Sequence, residues 1–418
     1  MPTGWRRLKL VALLAALLVL IKLIHLVERR PSSARPQDGA ETAPKLRLFE
    51  PAARFSVQQL DGHRIEAGPA PLLEPRDNAL ECAGSLGAPD EPTLELVIVV
   101  NSRWSNVERR RRLRHLWLSR AALADQVCAN KWLAVRAVSF LFAVGTPTPD
   151  NGAANRINVA PSSGGHPPGP TRAANGSAGR IEPQVAHEAA RHGDLLVLDV
   201  ADEYRRTMSE KHLSIFKWLA LKRLSAASAR LSLEAPTATS AAGPPGPPAD
   251  SRLLVLKCDD DARVRLQDLL ALAAAKLKPA SSRRQPNGRL GRNWLLCAQF
   301  PAHTRVRHRK QFKWRLSATE YAFDTFPAYC SGLAYLAPLH LLRRLVAAHE
   351  LLASEGQWRP LWVDDVYVTG ILAASLWPPV EWLRINSNVC YTRAQRAANS
   401  SLGAFDARCV ISEMDDED

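Results

Sequence analysis

Four stretches of this chain are apolar runs of strand length: "LELVIVV" (Leu94–Val100), "AVSFLFAVG" (Ala137–Gly145), "DLLVLDV" (Asp194–Val200) and "LLVLK" (Leu253–Lys257). Runs this short and this apolar predict buried strands. Helical patterns fall between and after them. The first is "NVERRRRLRHLW", opened by a capping-box signature at Ser105 and Glu108. It puts Arg110, Arg114 and Trp117 on one stripe, at spacings of four and three. A second helix is expected around His212–Leu224, and a third in "VRLQDLLALAAAKL". Strands alternating with helices argue an α/β sandwich with a mostly parallel sheet. The 418 residues, 46% hydrophobic and 23% charged, suffice for one large core or two smaller ones.

Two stretches interrupt the pattern, near 146–181 and 232–250. Both are polar and rich in Gly and Pro, and they read as disordered surface insertions. Residues 28–90 carry Pro, Ala and Gly without sustained periodicity and read as a stalk. The folded domain is therefore expected over 91–395, with a tail over 396–418.

Ahead of the stalk, an unbroken apolar run extends from Leu10 to Ile21, and to Val27 if Lys22 and His25 snorkel. Residues 10–27 thus read as a transmembrane signal anchor. Arg6, Arg7 and Lys9 favour a cytoplasmic tail over residues 1–9, although Glu28, Arg29 and Arg30 weaken that asymmetry. A cleaved signal peptide is the rival reading. On either reading the bulk of the chain crosses a membrane. The net charge of +14 fits an anionic ligand, an acidic surface or nucleic acid. The anchor argues against nucleic acid.

Seven cysteines form no CxxC pair, so a zinc ribbon is not indicated. An oxidising lumen would allow two or three disulfides, of connectivity the sequence does not reveal. Asn175 ("NGS") and Asn399 ("NSS") head glycosylation sequons.

The chemistry points to "VLKCDDDARV". Asp259, Asp260 and Asp261 follow a strand-length apolar run. In open α/β sheets, ligands bind outside the carboxyl ends of the strands. A nucleoside diphosphate lying there would need a hard divalent cation held by few carboxylates. A strand places alternate side chains on one side, so Asp259 and Asp261 would face the metal while Asp260 points elsewhere. The plainer reading is a solvated turn balanced by Arg263 and Arg265. A second acidic pair, Asp364 and Asp365 in "PLWVDDVYVTG", precedes an expected helix. It is either a helix cap or a base that takes a proton from an attacking hydroxyl. The arginine run reads as a solvated helix face, a nucleic-acid patch or a set of forks for anionic groups.

The order of these motifs resembles the β-1,3-glycosyltransferases of glycosyltransferase family 31, galactosyltransferase-like type II Golgi enzymes. The resemblance rests on "RRRRLRHLW" (Arg109–Trp117), "EAARHGDLLVLDVADEY" (Glu188–Tyr204) and "KCDDDARV" (Lys257–Val264). It continues through "KWRLSATEYAFDTFPAYCSGLAYLAP" (Lys313–Pro338) and "DDVYVTG" (Asp364–Gly370). It implies a GT-A-like, Rossmann-type nucleotide-sugar-binding domain in the Golgi lumen, behind the anchor and stalk. The implied reaction is inverting transfer of a hexose, galactose first, from a UDP-sugar to a glycan hydroxyl in β-1,3 linkage. Carried over by position, Asp261 with Asp259 would hold Mn²⁺ or another divalent cation. Arg110, Arg114, Asp259 and Asp260 would bind the donor, and Asp365 would be the catalytic base. Trp314 and Tyr321 are equally core residues or sugar platforms.

The chain departs from the family pattern at Leu116, His192 and Arg263, and the lysine expected after Tyr204 is missing or shifted to Lys211. These departures bear on the donor sugar. UDP-GlcNAc or UDP-GalNAc donors remain open, as does a catalytically silent, membrane-anchored lectin or partner protein of the same fold. The acceptor would be a glycan on a glycoprotein, glycolipid or proteoglycan.

Overall fold

The computed structural model describes residues 47–51, 54–82, 94–147, 181–233, 252–277, 292–308, 313–356, 359–392, 395 and 409–414. The anchor over 10–27, most of both insertions, and Asn175 and Asn399 lie outside the described residues. Among the described residues no helix is long and apolar enough to cross a membrane.

The expected strands and helices form, in the order β1 (Leu94–Asn101), α1 (Val107–Leu116), β2 (Val135–Thr146), α2 (Pro183–His192), β3 (Leu195–Ala201), α3 (Met208–Leu233), β4 (Leu253–Asp259), β5 (Ala262–Val264) and α4 (Leu266–Leu277). Then follow β6 (Trp294–Phe300), β7 (Tyr329–Pro338), α5 (Leu339–Ser354), β8 (Glu381–Arg384), β9 (Val389–Cys390) and β10 (Ile411–Glu413). The central sheet runs β8-β6-β7-β4-β1-β2, with β3 also on β2. Both its faces are covered. Val97 and Val99 of β1 enter one core, with Phe216 of α3 and Leu345 of α5. Leu96, Ile98 and Val100 enter the other, with Leu113 of α1 and Leu269 of α4. Double burial is why the strands read as continuous apolar runs rather than alternating ones.

The sheet is more mixed than the strand pattern suggests. Strands β4, β1, β2 and β3 pair in parallel, but β7 runs antiparallel to both β4 and β6. A parallel return needs a crossover, usually a helix. Among the described residues between β6 and β7 there is none, only the short pair Thr304–Arg305 with Thr325–Phe326. The reversal puts the start of β7 on the same edge as the end of β4.

The folded unit also begins earlier than residue 91. Leu80–Glu81 adds to β2, Leu73 bridges Val197, and Phe55–Ser56 pairs with Leu376–Trp377. Ser56 and Gln59 close a capping box, and Asp61 forks onto Arg344 at 2.7 Å through both oxygens. Part of the expected stalk therefore belongs to the domain. Its apolar residues Phe55, Leu60 and Ile65 are spread singly and fill places in a core built by later sequence, so no local period reveals them.

The expected tail is likewise partly structural. β10 pairs with β9 and with β5, and Ile411 is fully buried. Disulfides join Cys82–Cys128, Cys297–Cys330 and Cys390–Cys409, and Cys258 is a buried free thiol.

Candidate active site

The acid triplet sits where β4 ends. Asp259 is its last strand residue, and Asp260 and Asp261 form the turn into β5. The turn, rather than strand alternation, therefore sets the spacing of Asp259 and Asp261. Each side chain has a different environment. Asp259 is partly exposed, and its Oδ1 accepts from Lys257 Nζ at 2.7 Å. Lys257 is buried, and it also donates to the Gly332 carbonyl at 2.9 Å. Burial works against that ammonium, but the carboxylates of Asp259 and Asp364 outweigh it and raise its pKa. Asp259 itself is pushed up to about 7 by burial and by Asp364 and Asp261, against the pull of Lys257. Asp261 is raised by burial and by Asp260.

Asp260 is held differently. It is buried, and its Oδ2 accepts from Ser102 Oγ at 2.6 Å and Asn106 Nδ2 at 2.8 Å. That oxygen fixes the turn against the start of α1. The same contact explains why the capping box at Ser105 and Glu108 does not form. The helix starts after Asn106, whose side chain is committed to Asp260, and Glu108 pairs with Arg111 at the surface.

The arginine stripe needs a larger correction. Arg110 is wholly buried, and each of its five N–H groups has an acceptor. Nε and one Nη2 hydrogen go to Glu188, at 3.0 and 2.6 Å. The others reach Ser102 Oγ and the carbonyls of Arg103 and Trp104. Arg114 forks onto Asp194 at 2.7 Å through both oxygens and reaches Glu188 at 2.8 Å. Burial works against the Glu188 carboxylate, but Arg110 and Arg114 outweigh it and hold its pKa low. Gly193, at φ 68°, ends α2 in the left-handed region that favours glycine and turns the chain just before Asp194. These arginines join the first two sequence motifs to each other. The arginine of this helix that reaches the triplet is Arg109, with Nη1 3.5 Å from Asp260 Oδ1 and 3.9 Å from Asp261 Oδ2.

Beside the triplet lies a cleft of about 260 Å³. The three aspartates line it, with Arg103, Arg109, Lys211 and Lys313 as cations and Tyr204 as an aromatic wall. Lys211 is buried and bridges Asp202 Oδ1 and the Ser102 carbonyl, both at 2.6 Å. Tyr204 leans on Trp314 and Trp362, whose rings stack at 5.8 Å. Trp314 is 40% exposed, whereas Tyr321 is core, its hydroxyl donating to the Thr325 carbonyl at 3.0 Å.

The second acidic pair converges on the first. Asp365 Oδ1 accepts from Val366 N at 2.8 Å at the head of the helical segment Val366–Leu372, so the capping reading holds for that oxygen. The other oxygen has a different neighbour. A Cβ built on Gly332 would lie 3.7 Å from Asp365 Oδ2 and 3.7 Å from Asp259 Oδ2. Behind them, Asp364 accepts from His212 Nδ1 at 2.8 Å, and His212 Nε2 meets the Tyr335 hydroxyl at 2.6 Å. Burial holds the His212 pKa down, keeping the ring neutral. It then donates through Nδ1 and accepts from Tyr335. Burial works against the Asp364 charge, but His212 and Lys257 outweigh it and keep that carboxyl ionised. Burial and the neighbouring Asp364 raise Asp365 well above the usual carboxylate range. Paired acids with pKa values driven apart are what acid–base chemistry requires.

Lys257, His212 and Arg109 escaped the sequence reading. Lys257 left a signal, because it stands two residues before Asp259 and so shares its side of the strand. His212 left none.

An α/β domain with this cluster at the carboxyl edge of its sheet fits the class of enzymes that bind nucleotides there. Residues 248–377 match the model of the galactosyltransferase family, which supports a glycosyltransferase. The class takes a nucleotide-sugar donor and a glycan acceptor. The matched segment holds the triplet, Gly332 and Asp365, whereas Arg110, Arg114 and Glu188 lie outside it. No curated protein matches the chain.

Proposed function

We propose that this protein is an inverting glycosyltransferase of GT-A type that moves galactose from UDP-galactose to a glycan hydroxyl in β-1,3 linkage, as a Golgi membrane enzyme. The observation that carries the reading is the convergence of Asp259 and Asp365 on Gly332 beside a cleft lined by both carboxylates and cations, Arg103, Arg109 and Lys313 among them.

The residues present fit a divalent cation such as Mn²⁺. Burial raises both carboxyls, with Asp364 and Asp261 adding to it at Asp259 and Asp260 adding to it at Asp261, so each gains from positive charge. Among the described residues no group of three or more metal-binding side chains comes together. Two carboxylates would leave the remaining positions to donor oxygens and water. When bound there, the cation supplies charge that steadies the departing diphosphate.

The chain's own groups do the rest. Arg103, Arg109 and Lys313 draw the diphosphate into the cleft. Lys257 fixes Asp259, and Ser102 with Asn106 fixes the turn. Asp365 Oδ2 takes the acceptor's hydroxyl proton as the acceptor's own hydroxyl oxygen bonds to the anomeric carbon. The bond to the diphosphate breaks on the opposite face, and its electron pair leaves with UDP. Ionised Asp364, held by His212, raises the proton affinity of Asp365.

The test is to incubate the full chain with UDP-galactose, UDP-GlcNAc, UDP-GalNAc or UDP-glucose, with Mn²⁺ or chelator, and to measure released UDP. Metal-dependent turnover of UDP-galactose is expected. Turnover of another donor replaces the sugar, binding of UDP without turnover of any donor points to a silent relative, and no binding sinks the reading.

A further inference from the structure

The edge of the sheet that carries Asp259 continues past it, away from the cleft beside the triplet, to β7 and β6. There Tyr329 opens β7 opposite Phe300, which closes β6. Their rings stack at 4.9 Å with planes 19° apart. Phe300 is 39% exposed, and so is much of Tyr391 at 37%.

We propose that Phe300 and Tyr391, with the buried Tyr329 ring stacked on Phe300 as support, form a shelf that takes the apolar face of the acceptor's terminal pyranose; this rests on the glycosyl-transfer reading above.

Three observations place the shelf against Asp365. First, Thr369 Oγ1 accepts from Cys330 N at 2.9 Å and donates to the Asp365 carbonyl at 2.6 Å, stapling the start of β7 to the turn that carries the base. Second, burial raises the pKa of both the Tyr329 and Tyr391 hydroxyls, and the Asp365 carboxylate adds to that rise. Third, Tyr391 hydrogen-bonds Ser331, the neighbour of Gly332. Tyr391 is itself held by its position after β9 and by the Cys390–Cys409 disulfide.

The chemistry selects a sugar. A pyranose presents a face of C–H groups that packs on an aromatic ring, and a rim of hydroxyls that needs polar partners. Tyrosine offers both an apolar body and a polar tip. The charge of Glu413 reaches Tyr391 and that of Arg307 reaches Tyr329. The donor's diphosphate is drawn instead to the β1 and β3 side, where Arg103, Arg109, Lys211 and Lys313 line the cleft. A sugar on the shelf would present a hydroxyl to Asp365 from the side opposite the leaving group, as inversion requires.

The experiment is saturation-transfer NMR on the full chain with UDP and Mn²⁺, offering methyl β-galactoside, methyl β-N-acetylglucosaminide and methyl β-xyloside. At least one glycoside should saturate, most strongly on one ring face. Its binding should weaken about tenfold in Phe300→Ala and in Tyr391→Ala, with Tyr391→Phe keeping most of it. The UDP signals should persist in all variants, which also reports that each is folded. No glycoside binding in the UDP-bound chain, or binding that survives both alanine variants, overturns the shelf. Failure of UDP to bind while a glycoside still binds counts instead against the transfer reading.

Discussion

Asp259 and Asp365, from two separate motifs, face each other across Gly332: one added methyl group would touch an oxygen of each, at 3.7 Å. The contact is of ordinary van der Waals length, so Gly332→Ala is expected to fold with a melting temperature close to that of the parent. The added methyl would stand where donor and acceptor must meet. Transfer should fall at least about tenfold while UDP binding persists. Calorimetry and UDP-release assays on one preparation check both halves.

Asp365→Asn removes the proposed base without changing its size. Loss of one positioned base costs roughly 10²–10⁴-fold in rate, so kcat should collapse while donor binding holds. The pH profile carries a sign. The base works only when deprotonated, and burial with Asp364 beside it raises its pKa. Activity should therefore fall as pH drops through a midpoint well above the ordinary aspartate value of about 3.9. A midpoint at the ordinary value would reject Asp365 as the base.

Chelation should abolish UDP binding, and Asp261→Asn should weaken it. If Asp261→Asn stayed fully active with metal present, the metal assignment would be wrong.

Arg110→Ala separates a structural arginine from a donor-binding one. The substitution leaves Glu188, buried at 5% exposure, with Arg114 as its remaining ion-pair partner, so the loss should reach at most the roughly 3–5 kcal/mol of a buried ion pair broken from one side. Denaturant melts should show that loss. Arg110→Lys should recover little, since one ammonium cannot replace five forked donors. A donor-binding arginine would instead raise the donor KM at unchanged stability.

His212→Ala should destabilise the fold by about 1.5–3 kcal/mol, the worth of a hydrogen bond to a charged group. It should also shift the pH midpoint of transfer, because His212 holds the charge on Asp364.

Much of this architecture can be read along the chain. β1, β2, β3 and β4 announce themselves because burial on both faces leaves no polar position to break the run. The triplet and Asp365 stand out because acid directly after an apolar run has few structural reasons to be there. What the sequence hides is partnership at a distance. Arg110 and Arg114 look like hands offered to a nucleotide until Glu188 and Asp194 arrive from α2 and the start of β3. Asn106 is an unremarkable polar residue until Asp260 occupies its side chain. The reversed β7 is invisible for a similar reason, since strand direction is set by the connection and not by the strand's composition. Short pairing segments such as Leu80–Glu81 offer no period to detect.

One stitch sets a condition on how the site comes into being. Met414 N donates to the Asp261 carbonyl at 2.6 Å, and β10 lies against β5, which leaves the triplet turn. The turn that presents Asp261 is thus fastened by a strand made long after it. During synthesis the aspartates emerge early but cannot settle until residues 409–414 follow. A chain cut upstream of residue 409 would keep every acid of the triplet together with Asp365, and still lose the clasp that aims Asp261. Such a product would carry the motif without the tool.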